Sequence, residues 1–122
     1  MSVSINDLRS EFQQLLDRAH HEASHRTAAS KCYYFIYHSC KSMWPSVAAS
    51  GTHGMHRAFY KGLQGAQGLE KIGSKLEKLH NLRVTADYHL DRSFFPAQLK
   101  RAQELAESIV VDIQNIGTKD EI

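Results

Sequence analysis

Between Ile72 and Leu90 the apolar residues recur at helical spacing, and the side chain that interrupts their stripe is an arginine. Drawn at about 100° per residue, Ile72, Leu76, Leu79, Ala86 and Leu90 share one face, with Arg83 in its middle. A guanidinium does not shed its proton in a protein. On a face turned toward a core or an interface it therefore demands a carboxylate, a phosphate or several carbonyls opposite. Asp87 lies one turn on and is the nearest candidate, while His80, one turn back, flanks the same face. Two readings are open. One is an intrahelical Arg83–Asp87 pair whose stem lets the charge reach water. The other is a phosphate-binding arginine in a groove lined with histidines.

The rest of the chain repeats the helical period. Ser4 and Asp7 resemble a capping box, and Ile5, Leu8, Phe12, Leu15, Leu16, Ala19 and Ala23 then predict a first helix from about Ile5 to the low twenties. A second helix, from about His25 to Trp44, places Ala28, Cys32, Phe35, Ile36, Ser39 and Met43 on one stripe, and Pro45 stops it. On its other side Lys31, Tyr34, His38 and Lys41 line up. That strip is a solvated face with one amphipathic tyrosine, a surface for phosphate contacts and base stacking, or half of a protein interface. Thr52 is a candidate N-cap for a short third helix with Met55, Phe59 and Leu63. Gly62, Gly65 and Gly68 then read as a helix–helix connection, because no strand precedes them as a phosphate loop requires. A fourth helix runs from near Leu69 to about Asp91. Ser93 to Pro96 makes the next turn, with Pro96 at a first helical position. The fifth helix carries Leu99, Ala102, Leu105, Ala106, Ile109, Val110, Ile113 and Ile116 on a broad face and ends at Gly117. No segment alternates with period two, so the expected architecture is an all-α antiparallel bundle of four to five helices.

At 122 residues and 42% hydrophobic content the chain can bury one core but not two, so residues 1–122 read as a single domain. No run is long enough to span a membrane, and Met1 to Asp7 lacks the basic start and apolar segment of a signal peptide, so a cytoplasmic protein is expected. Cys32 and Cys40 are eight residues apart on one helix, a rise of roughly 12 Å, beyond disulfide reach. They read as buried apolar side chains. A formal charge of +2 gives no strong field for nucleic acid, so any such contact must be local. Eight histidines raise metal binding, acid–base chemistry and pH sensitivity together. His21 and His25 are spaced to share a metal, but no third ligand is indicated nearby, so no metal site and no cofactor are expected.

Four segments carry a family resemblance. Ser30-Lys31-Cys32-Tyr33-Tyr34-Phe35-Ile36-Tyr37-His38 resembles the Asn-Arg-Ala-Tyr-Tyr-Ala-x-Phe-His segment of a small prokaryotic branch of the HEPN family. Thr52 to Phe59 is similar to that branch's Thr-His-x-Gly-x-x-x-x-Phe element, with the glycine shifted by one. Leu82-Arg83-Val84-Thr85-Ala86-Asp87-Tyr88-His89-Leu90 resembles its Leu-Arg-x-x-Ala-Asp-Tyr-Asp-Leu signature, and Ala97 to Val111 its closing helix. The resemblance spans Leu8 to Ile116 in the right order. It implies a HEPN-like bundle that forms a two-fold homodimer. It also implies a metal-independent endoribonuclease, a toxin or phage-defence effector with RNA as partner. The family's catalytic pattern is an arginine, four to six residues, then a histidine, which Arg83 and His89 satisfy.

Under that resemblance Arg83 supplies the cation at phosphorus and His89 the base or acid, with His80 in reserve and Asp87 as the arginine's partner. Lys31, Tyr34, His38 and Tyr88 form the substrate-binding set. Six residues on an unbroken helix rotate by about 240° and rise roughly 9 Å, so Arg83 and His89 converge only if the helix ends or kinks near Ala86, or if a second protomer supplies the complement. The branch pattern departs at Val84, where a polar residue is usual, and at Asp91, where some family toxins carry a tyrosine that a nucleotidyltransferase antitoxin modifies. The alternative is a non-catalytic HEPN domain that binds a nucleotide or a partner protein.

Overall fold

The computed structural model of the protein describes residues 21–47 and 54–120, with side chains to 116, and positions 7, 10, 13 and 14. The expected first helix lies largely outside the described residues, as do its cap at Ser4 and the candidate N-cap Thr52. Among the described residues four helices follow: α1 (Glu22–Met43), α2 (Met55–Gln64), α3 (Glu70–Tyr88) and α4 (Pro96–Asp120). They form a helical bundle in which α3 is central, packed against α1, α2 and α4, while α1 also packs on α4.

Because α1 touches both α3 and α4, and its Tyr33 and Tyr37 also meet His56 and Phe59 of the next helix, its buried face is wider than one stripe. Tyr33, Tyr37 and Cys40 join Ala28, Cys32 and Ile36 in the core, whereas Met43, at the free end, is exposed. His21 caps the helix through Nδ1, which accepts from the Ser24 N–H at 3.4 Å. At the other end Trp44 N–H closes the last turn on the Cys40 carbonyl, just ahead of Pro45. Both cysteines are free and buried, and burial pushes the Cys40 thiol up to about 12.

The N-cap of α2 is Gly54. The helix runs through Gly62 to Gln64, and the 65–69 turn leads straight into α3 with Gly68 at φ 87°, a left-handed conformation suited to glycine. Gly73 then lets α3 come close to the end of α2: a Cβ there would lie 2.6 Å from the Gln64 backbone nitrogen. Gln64 Nε2 donates to Glu77 at 2.7 Å and ties the same two helices.

Two boundaries differ from the periodic pattern. α3 stops at Tyr88, so Leu90 has left the stripe and is 71% exposed. α4 continues past Gly117 to Asp120. A glycine inside a helix weakens it by about 1 kcal/mol without ending it. Pro96 is the first residue of α4, and Gln98 reaches back to accept from Phe95 N–H at 2.7 Å, the return half of a capping box. The broad apolar face from Leu99 to Ile113 is buried, with Ile116 partly so.

Candidate functional site at the C-terminal end of α3

α3 brings Arg83 to the point where α1 crosses it. The residue is only 8% exposed. Its Nε lies 2.9 Å from Asp87 Oδ2, as the spacing of four predicts, but the N–H is not aligned as a hydrogen bond. Asp87 also accepts from the Ser30 hydroxyl of α1 at 3.0 Å. Arg83 Nη2 donates to the Tyr34 hydroxyl and, at 3.5 Å, to the Tyr88 hydroxyl. The guanidinium lies over both rings, 4.9 Å from the Tyr34 centroid and 5.2 Å from that of Tyr88. Tyr34 is half-buried, whereas Tyr88 is 65% exposed and covers the charge from outside.

Next to this clamp sits a cluster of imidazoles and phenols. His38 stacks on Tyr34, and the His56 ring lies 5.8 Å from Tyr34 and 4.6 Å from Tyr37. His56 stacks at 5.5 Å on His80, one turn before Arg83, and both rings meet Tyr33. Tyr60 covers His80 from the α2 side. His80 Nδ1 is buried without a hydrogen-bond partner, and burial, followed by His56 and Arg83, pushes the ring down to about 4. Burial, then the charges of Arg83 and His38, lowers His56 as well. Both imidazoles are neutral near pH 7 and keep a lone pair for hydrogen bonding or proton transfer.

Of the residues singled out in the sequence, the structure joins Arg83, Asp87, Tyr34 and Tyr88 directly and places His38 beside them. His80 adjoins through His56 and Tyr33. Lys31 is exposed and forms no ion pair with a described residue. Lys41 turns away from the strip, with Nζ 5.3 Å from the Phe59 ring centroid and donating to the Pro45 carbonyl. His89 is the C-cap of α3, its N–H bonded to Thr85 O, and its ring has no hydrogen bond or ring contact with a described residue. Its backbone has left the helix at φ −99°, ψ 62°, and it makes no contact with Arg83 within the chain. Tyr37, which is not among the residues of the α1 stripe read from the sequence, is 3% exposed and packs on Phe59 and His56.

Two contributors escaped the sequence reading. His56 follows Met55 and precedes Tyr60 and Leu63 at i+4 and i+7, a helical pattern that would have placed it on the inner face of α2. Arg26 had no local signal. Its Nη1 donates to the carbonyls of Thr85 and Ala86 at 3.1 and 3.0 Å, and its Nη2 to Arg92 O and Glu22, so an α1 side chain caps the end of α3. Glu22 completes the joint by accepting from Phe94 N–H at 2.6 Å, and this bond, ahead of Arg26, holds its carboxyl below the ordinary range.

Among the described residues no group of three or more His, Cys, Asp or Glu is arranged to hold a metal, and no helix is long and apolar enough to cross a membrane. A groove of about 310 Å³ lies at the other end of α3, between Lys71 and Asp112, and is separate from the Arg83 cluster. Residues 10–116 match the family model described as HEPN domain. Searches of curated proteins and of solved structures give no match.

Proposed function

Because the chain belongs to the HEPN domain family, which includes ribonucleases and non-catalytic members, we propose that it is a metal-independent endoribonuclease with Arg83 at its centre. The observation that carries this reading is the setting of Arg83. Asp87 and Tyr34 hold its guanidinium in place, neutral imidazoles lie alongside, and the exposed ring of Tyr88 covers it from outside. Cleavage of RNA by its own 2′-hydroxyl needs a base for that proton, an acid for the departing 5′-oxygen and a cation against the charge growing on phosphorus. Arg83 serves as the cation once Tyr88 swings aside, and His89 transfers a proton. Since His89 makes no contact with Arg83 in its own chain, a two-fold homodimer is the arrangement that lets one protomer's His89 complement the other's Arg83. The cellular setting that goes with this reading is a cytoplasmic toxin or phage-defence effector. With Asp91 in place of the tyrosine that some family toxins carry, a nucleotidyltransferase antitoxin would find no hydroxyl at that position.

The second reading is a non-catalytic domain binding a nucleotide or a partner protein, and the 8% exposure of Arg83 favours it. The two separate in one experiment. If the protein is a ribonuclease, cleavage persists in excess EDTA and leaves 2′,3′-cyclic phosphate ends. Arg83→Ala or His89→Ala then lowers the rate by about 10²-fold or more, with a smaller change in RNA affinity. In the non-catalytic reading no RNA is cleaved, and Arg83→Ala costs about 1–3 kcal/mol of stability by leaving Asp87 without its cation. Light scattering at tens of micromolar protein gives a dimer mass if the shared centre is right and a monomer mass if it is not.

A further inference from the structure

At the base of the aromatic cluster, Tyr33 is fully buried at 0% exposure, and among the described residues its hydroxyl has one hydrogen-bond partner, His56 Nδ1 at 2.7 Å. Burial, ahead of the neighbouring phenols, raises the Tyr33 pKa far above the ordinary range, so the phenol keeps its proton. A buried hydroxyl hydrogen needs an acceptor, and Nδ1 is the one within reach. A neutral imidazole that accepts at Nδ1 carries its own hydrogen at Nε2. His56 Nε2 has no hydrogen-bond partner among the described residues. Nor is it one of the enclosed unpaired atoms, which there are His80 Nδ1 and Arg83 Nε, so solvent reaches it.

Position completes the argument. Tyr34 touches both groups, with its ring 5.8 Å from His56 and its hydroxyl bonded to Arg83, while the ring of His80, one turn before Arg83, stacks on His56. The groups facing His56 are Tyr33, Tyr34, Tyr37 and His38 from α1 and His80 and Arg83 from α3. No carboxylate is among them, so nothing there favours an imidazolium beside the guanidinium.

We propose that His56 is a phosphate donor of this site: the Tyr33 hydroxyl locks its ring as the Nε2–H tautomer, and that N–H meets a nonbridging oxygen of an RNA phosphodiester beside Arg83. The choice of RNA as ligand rests on the ribonuclease reading. The donor is neutral, so it adds a directed hydrogen bond without a second buried cation, and it brings α2 into a site otherwise built from α1 and α3.

The test combines imidazole nitrogen NMR with binding of a 2′-O-methyl RNA oligonucleotide, which cannot be cleaved because its attacking hydroxyl is blocked. At pH 7 the wild-type His56 signal is that of the Nε2–H tautomer, and Tyr33→Phe mixes the tautomers. His56→Ala weakens binding by about tenfold, and His56→Gln, whose amide restores an N–H, stays within about threefold of the parent. His56→Gln also keeps a polar partner for Tyr33 should the alanine variant fail to fold. An Nδ1–H tautomer, or His56→Ala and His56→Gln proteins that bind and cleave like the parent while Arg83→Ala does not, overturns the His56 donor and leaves the ribonuclease reading standing. A parent that binds the oligonucleotide through His56 but cleaves no RNA overturns the ribonuclease reading and keeps the donor. A parent that binds no RNA overturns both.

Discussion

Arg83 and His80 sit one turn apart on α3, each with a buried nitrogen short of a partner, and they answer burial in different ways. Arg83 keeps its charge and collects Asp87, Tyr34 and Tyr88 around it. His80 gives up its charge, because a neutral ring among Tyr33, His56 and Tyr60 costs less than an imidazolium there. This has a sign in stability. With a folded-state value of about 4 against 6.5 in the unfolded chain, the unfolded state takes up the proton first as the pH falls. Stability from this residue is complete above pH 6.5 and is lost down to about 4, and the lowered pKa of His56 acts in the same direction. Thermal melts at pH 7 and 4.5 should therefore show a fall in Tm for the parent and a smaller one for His80→Phe, which keeps a ring but cannot titrate. Equal falls in the two proteins would refute this origin.

At the scale of elements, the end of α3 is held from outside the helix. Its last carbonyls carry the negative end of the helix dipole, and Arg26 places a charged donor against two of them in one side chain. Arg26→Ala removes the charged donor from those carbonyls, leaving Ala86 O without it and Thr85 O and Glu22 with only the His89 and Phe94 N–H groups, and should cost about 1–3 kcal/mol in chemical denaturation. Lysine has a single point of charge in place of the planar fork, so Arg26→Lys should recover only part of the loss. The other end of α3 depends on absence of bulk. Gly73→Ala would drive a methyl group against Gln64 and Leu63, and the forced separation of α2 and α3 should cost about 1–3 kcal/mol in the same measurement. A neutral or stabilising result would mean that the joint opens more easily than this contact implies.

For the molecule as a whole, burial of both α1 thiols predicts reactivity that tracks unfolding. Cys32 and Cys40 are at most 1% exposed, and burial raises both thiols above their ordinary value. Native protein should resist a thiol-specific reagent at pH 8, with labelling that speeds up across the denaturation transition. Fast labelling under native conditions would mean that the packing around α1 opens locally.

What the sequence alone determined is what depends on neighbours along the chain. The helical period, Pro45 after α1, Pro96 opening α4 and the Arg83–Asp87 pair four residues apart were all legible, because each is set within one or two turns. The four motif segments likewise pointed to the family over most of the length that its model matches. The tertiary structure decided the rest. Tyr37 is core because α2 brings His56 and Phe59 against it, and Leu90 is exposed because α3 ends under a cap donated by Arg26, 59 or more residues away. The clustering of His56 with His80 and Arg83 belongs to that second class. It needs α2 folded back along α3 through the turn at Gly68, a contact between residues 24 or more positions apart that no local pattern encodes.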